Sequence, residues 1–460
     1  MYKSEIMNLH RSRRVLLDDG SLCDAGVLIA DDGTIVNILR ADEIPPENCR
    51  IYDHDNLVIM PGIVDSHVHL NEPGRTHWEG FWTGTRAAAA GGVTTVVDMP
   101  LNSIPPTTTV EALQIKRAAA GKQNYVDLAF WGGVIPTNIE SLQGLVDDGV
   151  VGFKCFLVDS GVPEFPAVTE QDVTRALEVL RGSFCPLAFH AELETQESKF
   201  QEDNDNSKYD TFLKSRPAVM ENRAVELVAK LCETYSSPCH VVHVSSAASL
   251  DVISAARARG APLTAETCPH YLSLVAEEVP CGATHYKCCP PVRNAENREH
   301  LWRGLLSKQL QLVVSDHSPC IPELKNLEEG DFMSAWGGIS SLQFGLAITW
   351  TAGHPRGLQL ADIARLMCRE PARLCGLEHR KGRLAKGCDA DLVIWDPDEH
   401  FQVNESIIEH RHKITPYAGL TLQGRVHYTV VRGTIVYDKG TIAEPPNGEL
   451  LKALHTRRLS

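Results

Sequence analysis

The sequence lacks several features that would assign it to other classes of protein. No apolar run reaches the roughly 18–20 residues that a membrane-spanning helix requires. No Cys-X-X-Cys pair occurs among the 14 cysteines, so a structural zinc ribbon is not expected. The first residues, Met-Tyr-Lys-Ser-Glu, contain no apolar segment typical of a secretory signal. We therefore expect reduced thiols in an intracellular protein, foremost a cytoplasmic one, with a mitochondrion or peroxisome left open.

A basic surface is also missing from the composition. The formal net charge is -15, which is unfavourable for binding nucleic acid or an anionic lipid surface. We predict neither a nucleic-acid partner nor a membrane partner. The hydrophobic content of 43% and the charged content of 22% are ordinary for a globular protein. The 460 residues are enough for one barrel of about 250 residues and a smaller domain.

Short apolar segments recur along the chain and alternate with helix-like segments, which predicts an α/β fold. Near-continuous runs of Val, Ile, Leu and Phe are typical of strands buried on both faces. From His67 to Asp316 there are 249 residues, or about 36 per strand–helix step, which favours a (β/α)₈ TIM barrel. The helix-like segments include 79–90, 169–181, 221–234 and 246–259. The eight candidate strands are 62–69, 93–99, 126–134, 150–157, 186–191, 239–244, 262–268 and 311–316.

The two ends of the chain follow a different pattern. Both contain short alternating runs, and those in the N-terminal segment are broken by Asp-Gly, which indicates hairpins. We predict that both ends pair into one small β-sandwich beside the barrel. The expected division is 1–55 for the N-terminal part of the sandwich, 56–378 for the barrel, and 379–460 for the C-terminal part and tail.

A pair of histidines ends the first candidate barrel strand. His67 and His69 are separated by one residue, so in a strand both imidazoles point to the same side and can bind one metal ion. Such a pair alone is weak evidence. In TIM barrels, however, catalytic groups lie at the C-terminal ends of the strands, and four further candidates end later strands. They are Lys154, His190, His243 and Asp316. The set predicts a hydrolase site for two metal ions.

Each of the four later residues also has an ordinary explanation. Lys154 could extend its amine to solvent at the strand end, form a Schiff base, or add CO₂ to become a metal-bridging carbamate. The surrounding histidines favour the carbamate. His190 and His243 could each be buried structural histidines. Asp316 could cap a helix, but beside metal ions it suits a general base and then a general acid. These ligand types favour zinc, with cobalt, manganese, nickel or iron compatible.

The order of these residues resembles the cyclic amidohydrolase branch of the amidohydrolase superfamily. The resemblance covers nearly the whole chain. It implies a TIM barrel with a β-sandwich and a binuclear centre that hydrolyses a cyclic amide. It further implies N6-carboxylation of Lys154, metal ligation by all six candidates, an acid/base role for Asp316, and a homotetramer. The stretches that carry it are 65–75, 78–80, 97–102, 152–156, 268–271, 287–291, 315–320, 335–339 and 382–393.

Differences from individual families of this branch narrow the expected substrate. Dihydroorotases carry an arginine for the substrate carboxylate where Asn71 stands, so we expect a ring without that carboxylate. Hydantoinases and dihydropyrimidinases carry an oxyanion-donating tyrosine where this chain has Asp159. Relatives have serine at the position of Cys289. The resulting hypothesis is ring-opening hydrolysis of a hydantoin-ring compound other than the substrates of hydantoinases. The residues expected to bind it are Asn71, Asn102, Cys289, Ser318 and Gly338, although each could equally be an ordinary loop residue.

Two alternatives to this hypothesis remain. The first is another cyclic amidase, acting on hydantoins, dihydropyrimidines or dihydroorotate, and Asn71 and Asp159 count against it. The second is a scaffold without catalysis, similar to the dihydropyrimidinase-related proteins that have lost metal ligands. The presence of all six candidate ligands counts against the scaffold.

Overall fold

The structure is a computed structural model that describes residues 6–196 and 205–454. The strands within these residues are β1 Met7–Leu16, β2 Leu22–Ile29, β3 Ile35–Arg40, β4 Cys49–Asp53, β5 Val58–Pro61, β6 Ile63–Val68, β7 Val93–Asp98, β8 Asp127–Phe130, β9 Gly132–Gly133, β10 Phe153–Phe156, β11 Leu187–His190, β12 Cys239–Val241, β13 Leu263–Thr267, β14 Leu312–Val313, β15 Leu392–Gln402, β16 Thr421–Val431, β17 Thr434–Asp438 and β18 Thr441–Ile442.

The α-helices lie mainly between the barrel strands. A π-helical segment, Arg365–Arg369, joins the last two of them. They are α1 Phe81–Ala90, α2 Val110–Ala120, α3 Leu142–Asp147, α4 Glu170–Val179, α5 Tyr209–Ser215, α6 Ala218–Tyr235, α7 Leu250–Ala258, α8 Pro269–Ser273, α9 Ala295–Leu306, α10 Pro322–Lys325, α11 Gly345–Gly353, α12 Leu360–Ala364 and α13 Glu370–Leu374.

Strands β6 to β14 form a closed parallel barrel. The order is β6-β7-β8 in one sheet and β9 to β14 in the other. Only Trp131 separates β8 from β9, so these two pieces act as one barrel strand. The last strand returns to the first through a parallel bridge between Val68 and His317, and the His69 amide donates to the His317 carbonyl at 2.8 Å. The predicted (β/α)₈ barrel is confirmed, and each of the eight predicted strand segments contains a strand.

Burial explains why the barrel segments are so apolar. Every residue of β6, β7, β8 and β10 is buried, because helices cover the outside and side chains fill the inside. Outer helices bury one face, and α4 begins with a capping box in which Thr169 accepts from the Asp172 amide and the Asp172 carboxylate accepts from the Thr169 amide. Gly152, just before β10, has no room for a side chain, because a Cβ would lie 2.3 Å from the Trp131 ring.

Both chain ends enter one nine-stranded sheet, with the order β18-β17-β16-β15-β5-β1-β2-β3 and β4 paired to β1. A bulge between Ser12 and Val15 divides β1, whose first half pairs with β4 and whose second half pairs with β5. This sheet builds the predicted β-sandwich around its own core, which includes Val15, Ile59 and Leu392. The exact domain boundaries, 55/56 and 378/379, stay a prediction.

A buried ion cluster joins the sandwich to the barrel. The Lys381 ammonium lies 2.5 Å from Asp127, 2.8 Å from Asp389 and 2.7 Å from Asp391. Asp127 belongs to barrel strand β8, while Asp391 directly precedes sandwich strand β15. All four side chains are buried. The Arg432 and Arg380 guanidiniums also pair with Asp127 and Asp389, so three cations balance three carboxylates between the two domains. Among the described residues, no helix is long and apolar enough to cross a membrane.

Candidate metal centre

The six predicted metal ligands lie around one cavity at the C-terminal ends of the barrel strands. His67 lies in β6 and Lys154 in β10, and His190 is the last residue of β11. His69, His243 and Asp316 follow β6, β12 and β14 by one to three residues. The cavity has a volume of about 430 Å³, and all six residues line it. The barrel topology therefore gathers residues that are up to 249 positions apart in the sequence.

The backbone is strained at several of these strand ends. Four residues other than glycine have a positive φ beside the cavity. They are Asn71 at 63°, Asn102 at 66°, His243 at 39° and Asp316 at 46°. Such conformations are unfavourable for side chains with a Cβ and are concentrated at functional sites in proteins. The strain indicates that the surrounding structure fixes the direction of these side chains.

His67, His69 and Asp316 form the first group of candidate ligands. Asp316 Oδ1 lies 3.1 Å from His67 Nε2 and 3.6 Å from His69 Nε2. The three ligand atoms all lie within 4.8 Å of one another. His67 Nε2 is buried and has no hydrogen-bond partner among the described residues. An unpartnered nitrogen beside a carboxylate oxygen fits a divalent cation between them.

His190 and His243 form the second group, on two neighbouring strands. His190 Nδ1 lies 3.0 Å from His243 Nε2. The other nitrogen of His190, Nε2, donates to Glu192 Oε2 at 2.6 Å, so His190 Nδ1 carries the lone pair. The same Glu192 oxygen accepts from the Arg216 guanidinium. The Phe156 ring stacks on His190, with 4.6 Å between the ring centroids, so the imidazole is held on both its polar edge and its face.

Lys154 lines the same cavity as the two groups and is almost completely buried, with 1% of its surface exposed. Burial lowers the pKa of its amine to about 8, against the opposing effect of the Asp316 and Glu266 carboxylates. A neutral amine is the form that can add CO₂. The lowered pKa therefore favours the carbamate over a permanently charged lysine.

Burial also sets the protonation of the remaining ligands. Burial and the nearby Lys154 charge hold the pKa of His67 well below its usual range. For His243, burial and the His190 charge have the same effect. Both are therefore neutral imidazoles, the form that binds metals. Burial alone would raise the pKa of Asp316, but the hydrogen bond and charge of His69 lower it. Neutral imidazoles and a carboxylate fit borderline divalent ions such as zinc.

The sequence prediction missed several charged residues of this site. Glu266 in β13 accepts from His67 Nδ1 at 2.5 Å, and Glu192 orients His190. Arg216 and Lys287 line the cavity as cations. A usable signal was present for the two glutamates, because Glu192 follows a predicted ligand by two residues and Glu266 lies inside a predicted barrel strand. No comparable signal marks the two cations, which come from loops.

Four of the five predicted substrate-binding residues line the cavity: Asn102, Cys289, Ser318 and Gly338. Ser318 donates to Asp316 Oδ1 at 3.0 Å. Gly338 lies so close to Ser318 that a Cβ would stand 2.1 Å from the Ser318 carbonyl oxygen. Asn71 is not among the residues that line the cavity. It is buried, and its side-chain amide donates to the Pro319 carbonyl at 3.2 Å, so a direct contact with substrate stays a prediction.

Comparison with known proteins defines the class. Residues 58–436 match the amidohydrolase family, and the chain belongs to this family. The L-hydantoinase from Arthrobacter aurescens has the same fold, with a TM-score of 0.89, 30% identity, and coverage of 97% of this chain and 99% of that one. The dihydropyrimidinase from Brevibacillus agri gives a TM-score of 0.88 at 26% identity, covering 98% and 100%. Membership in this family implies a divalent metal centre.

Sequence relatives place the chain within one branch of the family. It is 53% identical to "Allantoinase, mitochondrial" of Aquarana catesbeiana over 80% of this chain and 75% of that protein. It is 43% identical to the allantoinase of Saccharomyces cerevisiae over 98% of this chain and all of the yeast protein. The chain is thus an allantoinase-family member. The predicted membership in the cyclic amidohydrolase branch, which rests in part on the motifs around His67, Lys154 and Asp316, is confirmed.

Proposed function

We propose that this protein hydrolyses (S)-allantoin to allantoate by opening its hydantoin ring, a step of urate breakdown in purine catabolism. The observation that carries the proposal is the meeting of six candidate ligands around one cavity in a chain of the allantoinase family. The ring lacks a carboxylate, in agreement with asparagine rather than arginine at position 71.

The proposed centre holds two divalent ions, zinc foremost. His67, His69 and Asp316 would hold the first ion, His190 and His243 the second, and a carboxylated Lys154 would bridge them. When bound, the ions lower the pKa of a water molecule and polarise the carbonyl that it attacks. Cobalt, manganese, nickel and iron are compatible with the same ligand types.

Asp316 moves the proton in this proposal. Its carboxylate takes a proton from the attacking water and then gives it to the departing ring nitrogen. Two neighbours keep Asp316 ionised and oriented: His69 lowers its pKa, and Ser318 donates to its Oδ1 at 3.0 Å. A bond that holds Oδ1 leaves Oδ2 as the oxygen that carries the proton.

Other residues that line the cavity would orient the ring. Asn102 and Ser318 offer polar side chains, Cys289 occupies the position of a serine in relatives, and Gly338 stands where a Cβ would collide with the Ser318 carbonyl oxygen. Asp159 also lines the cavity. As a carboxylate it cannot donate a hydrogen bond to an oxyanion as a tyrosine does, which disfavours the hydantoinase mode of binding.

We further propose that the protein acts as a homotetramer, from its resemblance to other cyclic amidohydrolases. Its free cysteines favour a reducing compartment, foremost the cytoplasm. Light scattering coupled to size-exclusion chromatography would test the assembly, since a mass near 50.6 kDa would indicate a monomer instead.

The function is tested with protein loaded with zinc and given (S)-allantoin and (R)-allantoin in separate reactions. The expected result is conversion of the (S) form to allantoate, identified by NMR, with the (R) form consumed much more slowly. Protein that contains two metal ions and produces no allantoate would contradict the proposal and favour the scaffold alternative.

A further inference from the structure

A buried carboxylate lies beneath the candidate ligands and contacts both groups of them. Glu266, on β13, is 1% exposed. Its Oε1 accepts from His67 Nδ1 at 2.5 Å and from the His243 amide at 3.4 Å. Its Oε2 accepts from His240 Nε2 at 2.9 Å. One side chain therefore connects three barrel strands directly below the cavity.

The contact with His67 fixes which of its nitrogens can bind a metal. A carboxylate only accepts hydrogen bonds, so the proton of the neutral His67 ring lies on Nδ1. The lone pair then lies on Nε2, which faces Asp316 Oδ1 at 3.1 Å. A carboxylate partner of this kind orients a ligand histidine and raises its basicity.

The contact with His240 fixes Glu266 in turn. His240 is fully buried, and its Nδ1 lies 2.7 Å from Thr264 Oγ1. For a neutral ring, the Thr264 hydroxyl donates to Nδ1 and the Nε2–H group donates to Glu266. His240 lines no part of the cavity, so its ring serves the carboxylate and not the substrate.

The contact with His243 reaches the second group of ligands. His243 has a φ of 39°, a conformation that an L-residue keeps only when its surroundings impose it. The His243 amide points at the same Oε1 atom that holds His67. A movement of Glu266 would therefore disturb a side chain of the first group and the main chain of the second together.

We propose that Glu266, held by His240, is a positioning residue that couples the two metal positions of the centre. The proposal rests on the metal ligation set out under the proposed function. In this proposal, Glu266 determines both the tautomer of His67 and the main-chain conformation of His243. Neither metal position is then formed without the other.

Replacing Glu266 with glutamine tests this assignment without changing the volume. A glutamine side chain has one accepting oxygen and one donating nitrogen. It can accept from His67 or from His240, but its amide nitrogen must then face the N–H group of the other. Either His67 moves its proton to the ligand atom Nε2, or His240 moves its proton to Nδ1 and donates it to Thr264 Oγ1. In the second case His67 faces a neutral amide, which raises its basicity less than a carboxylate does. Both outcomes weaken metal binding.

The measurement is a zinc titration of metal-free protein against a chromophoric chelator, which gives affinity and stoichiometry without any substrate. For Glu266→Gln we expect affinity to fall by about 10–100-fold, with both equivalents weakened together. His240→Phe should weaken both as well. His240→Gln, whose side-chain amide can still donate to Glu266, should recover part of the loss. This recovery would not follow from a purely structural role.

Glu221→Gln is the matched control. Glu221 is a buried glutamate that accepts from the Ser245 and Ser246 amides and contacts none of the six candidate ligands. Circular dichroism verifies that each variant is folded. Unchanged zinc affinity in Glu266→Gln, or loss of one equivalent with the other at wild-type affinity, would overturn the coupling. Wild-type protein that binds zinc but does not hydrolyse allantoin would refute the proposed function and leave the coupling of the two metal positions in place.

Discussion

His190 Nδ1 and His243 Nε2 face each other at 3.0 Å, and the proton of the His190 ring lies on Nε2, which donates a hydrogen bond to Glu192. His243 Nδ1 is buried and has no hydrogen-bond partner among the described residues, so burial keeps this ring neutral as well. A neutral pair in this geometry forms a hydrogen bond from His243 Nε2 to His190 Nδ1. A cation between the two rings can replace that bond, because both nitrogens can then donate their lone pairs to it, so the pair is compatible with metal binding.

Removing the metal should therefore destabilise the protein. We expect dialysis against a chelator to lower the thermal midpoint, and zinc to restore it, because a ligand that binds only the folded state stabilises it. The gain is about 2.7 kcal/mol at a free concentration of 100 times Kd. Scanning calorimetry of metal-free and zinc-loaded protein measures the change. Identical midpoints would indicate that the histidines do not hold a metal.

Lys154→Ala should remove most of the activity, since alanine cannot supply the bridging carboxylate. If the carbamate is the active form, a short carboxylate such as propionate should partly restore turnover by occupying the vacated space. Lys116→Ala is a useful comparison, because Lys116 is also a buried barrel lysine but pairs with Asp98 away from the cavity. Full activity of Lys154→Ala without added carboxylate would refute the bridge.

Asp316→Ala should lose turnover while largely retaining metal. The acid/base contribution of such a group is about 10²–10⁴-fold in rate, and four histidine ligands remain in the variant. Steady-state kinetics and metal analysis on the same sample separate the two effects, and a loss in kcat rather than a rise in KM is expected. Near-normal kcat in a protein with both metals would remove Asp316 from the proton-transfer role.

Lys381→Met should be strongly destabilising. Asp127 and Asp389 keep Arg432 and Arg380 as partners, but Asp391 loses its ion pair with Lys381. Breaking a buried ion pair in this way costs about 3–5 kcal/mol. Lys452→Met is the control, because Lys452 is 60% exposed in its pair with Asp148 and such surface pairs contribute about 0–1 kcal/mol. Chemical denaturation measures both. Equal stability of the two variants would contradict the role of Lys381 in joining the domains.

Much of the fold could be predicted from the sequence, because strands buried on both faces consist of continuous runs of apolar residues. The segments around His67, Lys154 and His190 each combine such a run with polar residues within it or at its end. Burying a polar side chain in such a run is unfavourable unless the residue has a function. A polar residue in an apolar run therefore marks a candidate functional site. The strand β14 was harder to delimit, since only Leu312–Val313 pair as a regular strand.

The layer behind the ligands could not be predicted in the same way. Glu266 and His240 lie on neighbouring strands, and their contact depends on register: Cys239 pairs with Leu263 and His240 with Thr264. Sequence patterns do not contain that register. Asn71 illustrates the opposite case, because its chemistry indicates a substrate contact while its side chain is turned toward the Pro319 carbonyl. Arg216 and Lys287 come from loops, whose paths depend on tertiary packing.

The most direct test of the account is a comparison of kcat/KM for four rings by zinc-loaded protein: allantoin, hydantoin, dihydrouracil and dihydroorotate. Allantoin should be hydrolysed far faster than the other three rings. Dihydroorotate should be the poorest substrate, because no arginine stands at position 71 to receive its carboxylate. Faster turnover of any other ring would keep the metal chemistry but contradict the assigned substrate.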